Sequence, residues 1–492
     1  MTENKTTFKQ SLGLLDATMI VAGSMIGSGI FIVSSDIAQN VGSAGWLIAI
    51  WLITGFMTIT AAVSYGELSS MYPKAGGQYV YLKEAFNPLA GFLYGWSFFA
   101  VIQTATIAAV GVAFARYTAY LIPALGEDNI LFGIEKGLNA AGKMEYSFSI
   151  NAAQLLAMAL IIFLTYTNSK GIKGGKIIQT TFTTTKLVSL FGLIILGFFL
   201  VKESFWSQNW QSAFAANQLQ KDGSWSSISG TVLIGAIAAA MVGSIFSSDA
   251  WNNVTFIAGE IKNPKRNIGL ALFLGTLIVT LIYVSANLMY LNVLPLKGTD
   301  SIAFPEGERV AVAASNAIFG TAGAKIIAIM IMISTFGCNN GLILAGGRVY
   351  YTMANDGLFF KKTRELNKNA VPEWAMWAQC VVACLLCLSG KYGDLLDMVS
   401  FVVVLFYALT ILGIFILRKK RPDIDRPYKA FGYPVLPVIY ILMAVTFCYF
   451  LITMKPTYAG IGLGIVLAGI PLYYIAVSNR KSNKPENINV NP

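Results

Sequence analysis

Apolar residues in this chain run in long blocks, without the 3.6-residue alternation of a helix that keeps one wet face. Most blocks approach or exceed about 20 residues, the length a helix needs to cross roughly 30 Å of hydrocarbon. They recur at 14–40, 45–70, 89–122, 150–168, 177–200, 230–258, 267–293, 311–340, 374–389, 395–417, 434–454 and 458–477. The pattern predicts twelve transmembrane helices joined mostly by brief linkers, and an even number of crossings leaves both termini on one side. The longest outer linker, 123–149, carries Glu127, Asp128, Glu135 and Glu145 and is expected to form a short surface helix. No soluble domain is visible. The opening MTENKTTFKQSLGLLD lacks the short apolar core and small-residue cleavage site of a removable signal peptide. The polar, proline-bearing tail SNRKSNKPENINVNP is expected to be disordered.

Two predicted spans contain residues that a continuous helix would not choose. The first reads MIVAGSMIGSGIF and crowds Gly23, Gly27 and Gly29 at its centre. Glycine costs about 1 kcal/mol relative to alanine within a helix, so unwinding is expected there. The sixth reads VGSIFSSDAWNNVTF and sets Ser247, Ser248 and Asp249 at a similar depth. Unwound backbone at membrane depth persists only where it lines a polar or protein-enclosed cavity. Glycines alone would also serve close helix packing. Breaks in both the first and sixth spans instead match two five-helix halves of opposite direction. In transporters built from inverted repeats, free amides at such breaks hold an anionic group and free carbonyls a cationic one. An amino acid carries both.

Two ionisable residues share that depth. Lys186 lies about nine residues into its span, roughly 14 Å deep at about 1.5 Å per residue, too deep to snorkel comfortably. Asp249 is comparably placed. Charge there costs on the order of 2.5–3.5 kcal/mol, so each is expected to face a cavity or a partner. Asp16 and Glu67, nearer span ends, read as local caps or loop contacts.

Composition agrees with the pattern and removes alternatives. The 492 residues are 55% hydrophobic and 12% charged, about half the charged share of a soluble domain, and the mean hydropathy is +0.63. Lipid is therefore the solvent for most of the chain. The net charge is +11, yet the basic residues cluster between apolar runs, which argues against a nucleic-acid groove. With the N-terminus inside, 24 of the 35 Lys and Arg fall in inner segments, ten fall outside, and Lys186 lies within a span. That bias places both termini in the cytoplasm. Histidine is absent, which removes imidazole metal ligation, His bases and His proton relays. Without paired intramembrane carboxylates either, the chain is read as no enzyme, with neither metal nor cofactor indicated. Cys338, Cys380, Cys384, Cys387 and Cys448 all lie in apolar stretches. Cys384-x-x-Cys387 reads as helix packing rather than a redox or zinc pair.

Six landmarks in order, GSMIGSGIF at 23–31, GELSSMYPKAGGQYVYLKEAFNPLAGFLYGW at 66–96, TTTKLVSL at 183–190, WNNVTFIAGEIKNPKRNIGLAL at 251–272, FGCNNG at 336–341 and LRKKRPDIDRPYKAFGYPVLP at 417–437, carry a resemblance. The sequence resembles the amino acid, polyamine and organocation transporter superfamily and, within it, a bacterial member of the L-type amino acid transporter family. The resemblance implies an all-α membrane protein with twelve transmembrane helices in a LeuT-type fold. Two inverted five-helix repeats, 13–200 and 201–417, would be followed by two C-terminal helices over 418–478. A cytoplasmic segment, 1–12, and the tail, 479–492, flank them.

Carried over to this sequence, the resemblance implies that the amides of Gly27, Ser28 and Gly29 receive a substrate carboxylate, with Ser24, Met25 and Ile26 bordering the site. Phe246 would be the aromatic gate, and the carbonyls of Phe246, Ser247, Ser248 and Asp249 would receive the α-ammonium. Lys186 matches the lysine that stands where sodium-coupled relatives bind an ion. Many relatives follow the gate with an aromatic residue and glycine. Here Ser247-Ser248-Asp249 is small and polar, and Ala250 precedes Trp251, which leaves substrate size and charge open. Animal members that pair with a glycoprotein subunit use a cysteine in the loop after the third span. Residues 123–149 hold none, so no disulfide-linked ancillary subunit is expected.

The function implied is sodium-independent amino acid transport by alternating access in the cell inner membrane, as an exchanger favouring neutral substrates. Transport of cationic amino acids, or proton-coupled uptake, stays open beside it. A non-transporting amino acid sensor is a more distant alternative, since the chain offers only short loops as an output domain.

Overall fold

The computed structural model describes residues 10–138, 144–305, 309–389 and 392–482. The chain opens with α1 (Leu14–Met25), a 3₁₀ turn (Gly29–Phe31) and α2 (Ser34–Val41), then α3 (Ala44–Met71) and the short α4 (Gln78–Ala85). Next, α5 (Pro88–Ser97) passes through a π turn (Phe98–Ile102) into α6 (Gln103–Leu121). There follow α7 (Ala152–Ser169), α8 (Ile172–Phe199), α9 (Trp206–Trp210), α10 (Gly230–Ser247), α11 (Asn253–Phe256) and α12 (Pro264–Val293). The last five are α13 (Val310–Asn355), α14 (Glu373–Ser389), α15 (Tyr392–Lys420), α16 (Val435–Met454) and α17 (Pro456–Ser482). Among the described residues, ten helical stretches are long and apolar enough to cross a membrane, and α1 and α14 are shorter apolar helices. Together these fall on the twelve blocks of the hydropathy pattern.

Local chemistry sets several of the ends. Asn87 accepts from the Ala90 amide at 2.9 Å, with Pro88 as the first helical residue of α5. Asn151 and Gln154 form a reciprocal capping box on α7, each bond 2.9 Å. Asp16 caps α1 by accepting from the Gly13 amide at 3.0 Å, the local role expected of it. Small residues then let the helices approach, as lipid-solvated packing requires. Where α3 crosses α12, the Cβ position of Gly269 lies 3.5 Å from the Gly66 Cα.

Three expectations are corrected. The linker 123–149 contains a β-hairpin rather than a surface helix: β1 (Ile130–Leu138) pairs antiparallel with β2 (Met144–Asn151). Ile130, Phe132 and Ile134 alternate with period two, a strand signal that the acids of this linker obscured. A second small hairpin joins β3 (Asn217–Leu219) to β4 (Trp225–Ser227). The helix over the eighth block, 311–340, runs on to Asn355, and Gly320 turns the chain at φ 72° inside α13. Hydropathy is apolar on both sides of that turn and could not register it. Finally, the tail expected to be disordered from 479 remains helical to Ser482, and its remainder lies outside the described residues.

Glu67 is no local cap. It is fully buried on α3 and takes both nitrogens of an Arg418 fork from α15, at 2.9 and 2.7 Å, together with the Ala430 amide at 2.7 Å. The Arg418 guanidinium also lies 3.5 Å from the centre of the Tyr433 ring. This carboxylate therefore fixes the segment after α15 to α3. Removing one partner of a buried pair leaves the other uncompensated and costs about 3 kcal/mol or more. Glu67→Ala should lower the melting temperature of the purified protein markedly. Glu67→Gln, which keeps an acceptor for the Ala430 amide, should lower it less.

Candidate functional site

The first break begins where α1 stops at Met25. Ile26 leaves the helix at φ −75° and ψ 90°, and the chain resumes as the 3₁₀ turn at Gly29. The carbonyls freed by this break lie deep in the protein, where each needs a partner. Lys186, midway along α8 and 1% exposed, donates to the Gly23 carbonyl and to the Ile26 carbonyl at 2.7 Å. Ser334 on α13 lies 3.4 Å from the carbonyls of both Ile26 and Gly27, and one turn on the Cys338 thiol donates to Ser24 at 3.3 Å. The Tyr283 hydroxyl of α12 is 3.0 Å from the Met25 carbonyl. The Gly27 amide is turned back onto Met25 at 2.9 Å. At the head of the 3₁₀ turn, the Gly29 amide has no intrahelical acceptor. The Ser24 hydroxyl is buried without a hydrogen-bond partner among the described residues.

The second break sits later than expected. Phe246 and Ser247 are still the last helical residues of α10, and the backbone departs only at Ser248 and Asp249. The Ser247 hydroxyl bonds back to the Gly243 carbonyl at 2.7 Å within that turn. Ala250 then takes φ 62°, in the left-handed region that a side chain resists, and α11 starts at Asn253. Strain of that kind persists only where surrounding packing imposes it.

The two breaks touch. A Cβ on Gly29 would overlap the Ser247 hydroxyl and stand 2.7 Å from the Ser247 Cβ. The Tyr283 hydroxyl that reaches Met25 is also 2.9 Å from the Ser247 carbonyl. Gly23 to Gly29, Lys186 and Ser247 therefore form one constellation. Phe246 is buried beside it on α10. Asp249 is drawn elsewhere: its carboxylate accepts from the Tyr407 hydroxyl of α15 at 2.5 Å, and it borders two small cavities. One, of about 10 Å³, includes Gln78, Tyr94, Gln103 and Asn252 in its lining; the other, of about 20 Å³, includes Thr54, Ser248 and Tyr440. Each has room for about one water. Residues 23–31 line neither of these two spaces, and the two breaks meet each other by direct contact at Gly29 and Ser247.

Tyr283, Ser334, Cys338 and Tyr407 were not singled out in the sequence as site residues. Cys338 lies within the FGCNNG landmark, and Ser334 stands four residues before it on the same helix face. That pairing was the available signal; Tyr283 and Tyr407 carry none. Among the described residues no group of three or more Cys, Asp or Glu is placed to hold a metal.

The contact between the breaks predicts a reciprocal pair of variants. Gly29→Ala should abolish substrate binding by prising the breaks apart. Gly29→Ala combined with Ser247→Gly removes the clash and should recover most of it, as read by equilibrium binding of a labelled amino acid. Equal binding by Gly29→Ala and wild type would contradict the observed packing.

The amino acid permease family profile matches residues 12–477. Large neutral amino acids transporter small subunit 2 of Homo sapiens is 31% identical over 480 residues, covering 95% of this chain and 81% of the relative. The b(0,+)-type amino acid transporter 1 of Mus musculus is 28% identical, covering 97% of this chain and 90% of the relative. The Asc-type amino acid transporter 1 of Mus musculus is 27% identical, covering 98% and 83%. Two interlocked helix breaks in an all-α, multi-pass membrane protein and a match over nearly its whole length lead to one conclusion: the chain belongs to the amino acid permease family, and it is a transporter rather than an enzyme.

Proposed function

We propose that this protein exchanges amino acids across the cell inner membrane by alternating access, without sodium, and that neutral substrates are favoured. The observation that carries this reading is Lys186, whose ammonium lies on the Gly23 and Ile26 carbonyls at the first break. A fixed cation there satisfies the freed carbonyls and makes a bound metal cation unnecessary. The substrate carboxylate would meet the amides around Gly27, Ser28 and Gly29, bordered by Ser24, Met25 and Ile26. Its ammonium would meet the carbonyl ends from Phe246 to Asp249, with Phe246 as the gate. Helices α1–α8 and α10–α15 would form the two inverted repeats. The preference for neutral substrates follows the name of the Large neutral amino acids transporter relatives. The excess of Lys and Arg in alternate linkers supports cytoplasmic termini. The protein would act without a disulfide-linked subunit, since 123–149 lacks cysteine.

A second reading, transport of cationic amino acids, is favoured by one feature. The buried Asp249 carboxylate stands beside Gln78, Gln103 and Asn252 around a water-sized space, a polar set with one acid that would pair with a cationic side chain in a conformation where that space is wider.

In proteoliposomes, uptake of a labelled neutral amino acid should be unchanged when sodium is replaced by choline, and should need a trans amino acid. Sodium-dependent uptake, or uptake without a trans substrate, would contradict the exchanger reading. Competition by lysine or arginine would favour the second. Asp249→Asn should weaken transport several-fold while the protein stays monodisperse; loss of folded protein would assign Asp249 to the Tyr407 contact alone.

A further inference from the structure

Where α17 passes α5, Gly469 lets the helices touch: a Cβ there would stand 2.8 Å from Leu93 and 2.9 Å from Trp96. The Trp96 indole donates to the Ile465 carbonyl at 2.9 Å and fixes that contact. Two residues beyond Gly469, Pro471 interrupts the α17 hydrogen-bond ladder. Past this point a cleft of about 720 Å³ opens, within the usual range of about 300–1,000 Å³ for ligand sites. One wall is apolar and belongs to membrane-spanning helices, with Phe92, Trp96, Leu472 and Ile475. The facing wall is the segment 356–364 that follows α13.

That second wall is charged. Lys361–Arg364 is a 3₁₀ turn held by the buried Thr363, whose hydroxyl donates to the Phe360 carbonyl at 2.7 Å. At about three residues per turn, Lys361 and Arg364 fall on one side, and both line the cleft. Neither makes an ion pair among the described residues, whereas the acid in the lining, Asp356, is held by Lys83 and Tyr79, each at 2.7 Å. Two cations thus stand over an apolar slot at the end of a membrane helix. Ile475 is 57% exposed in that slot, an apolar surface that a soluble anion would leave wet.

We propose that this cleft binds an anionic phospholipid, with the phosphate between Lys361 and Arg364 and one acyl chain along Trp96, Leu472 and Ile475. The test is a native mass-spectrometric titration of the full-length protein with phosphatidylglycerol or phosphatidylcholine. Each basic residue beside an anionic lipid contributes about fivefold in affinity, so wild type should prefer phosphatidylglycerol by about 25-fold. Lys361→Ala combined with Arg364→Ala should bring the two lipids level, and Ile475→Trp, which fills the slot, should weaken both. Glycerol phosphate, a soluble phosphate anion without acyl chains, should neither compete nor raise the melting temperature. Equal affinity of wild type for the two lipids, an unchanged preference in the double variant, or competition by glycerol phosphate would overturn the proposal.

Discussion

Backbone carbonyls released inside a membrane protein have no water to turn to, and an orphaned one costs several kcal/mol. At the end of α1 this need is met from three directions. Lys186 serves Gly23 and Ile26, Ser334 and Cys338 serve the carbonyls between Ser24 and Gly27, and Tyr283 approaches Met25. Helices α8, α13 and α12 are therefore fastened to the break by polar bonds. The buried ammonium serves two carbonyls at once, which a neutral side chain with a single donor could not do.

The same requirement ties the second break to the first. Tyr283 lies within bonding distance of carbonyls from both, and Gly29 presses on Ser247. A shift of α1 against α10 would have to exchange these contacts together rather than one by one. In the proposed exchange cycle, a substrate that carries its own carboxylate and ammonium supplies replacement partners for amides and carbonyls uncovered by such a shift. An empty carrier lacks those partners, a physical reason for return to be slow without substrate.

Much of this was legible in the sequence because lipid imposes a coarse rule. Long apolar blocks gave the spans, and Gly23, Gly27 and Gly29 gave the first break. Lys186 and Asp249 stood out as charges too deep to reach water. Features set by tertiary partners were not legible. Glu67 looks like a helix-end residue until Arg418 and Ala430 arrive from far along the chain. The two extra helical residues, Phe246 and Ser247, depend on a local side-chain bond and on a strained Ala250, neither of which hydropathy reports. Asp249 was read correctly as needing a partner, but a tyrosine in an apolar helix gives no hint that its hydroxyl will be that partner. The hairpin at 130–151 was missed because a short alternation is a weak signal beside a cluster of acids.

Replacement of Lys186 by methionine tests the role of the ammonium most directly, because the side chain keeps its length and apolar body and loses only its charge and donors. Lys186→Met should fold and remain monodisperse, yet show exchange reduced by on the order of tenfold or more in proteoliposomes, since two buried carbonyls lose a charged donor. Exchange at the wild-type rate by a folded Lys186→Met protein would show that the break does not depend on this cation.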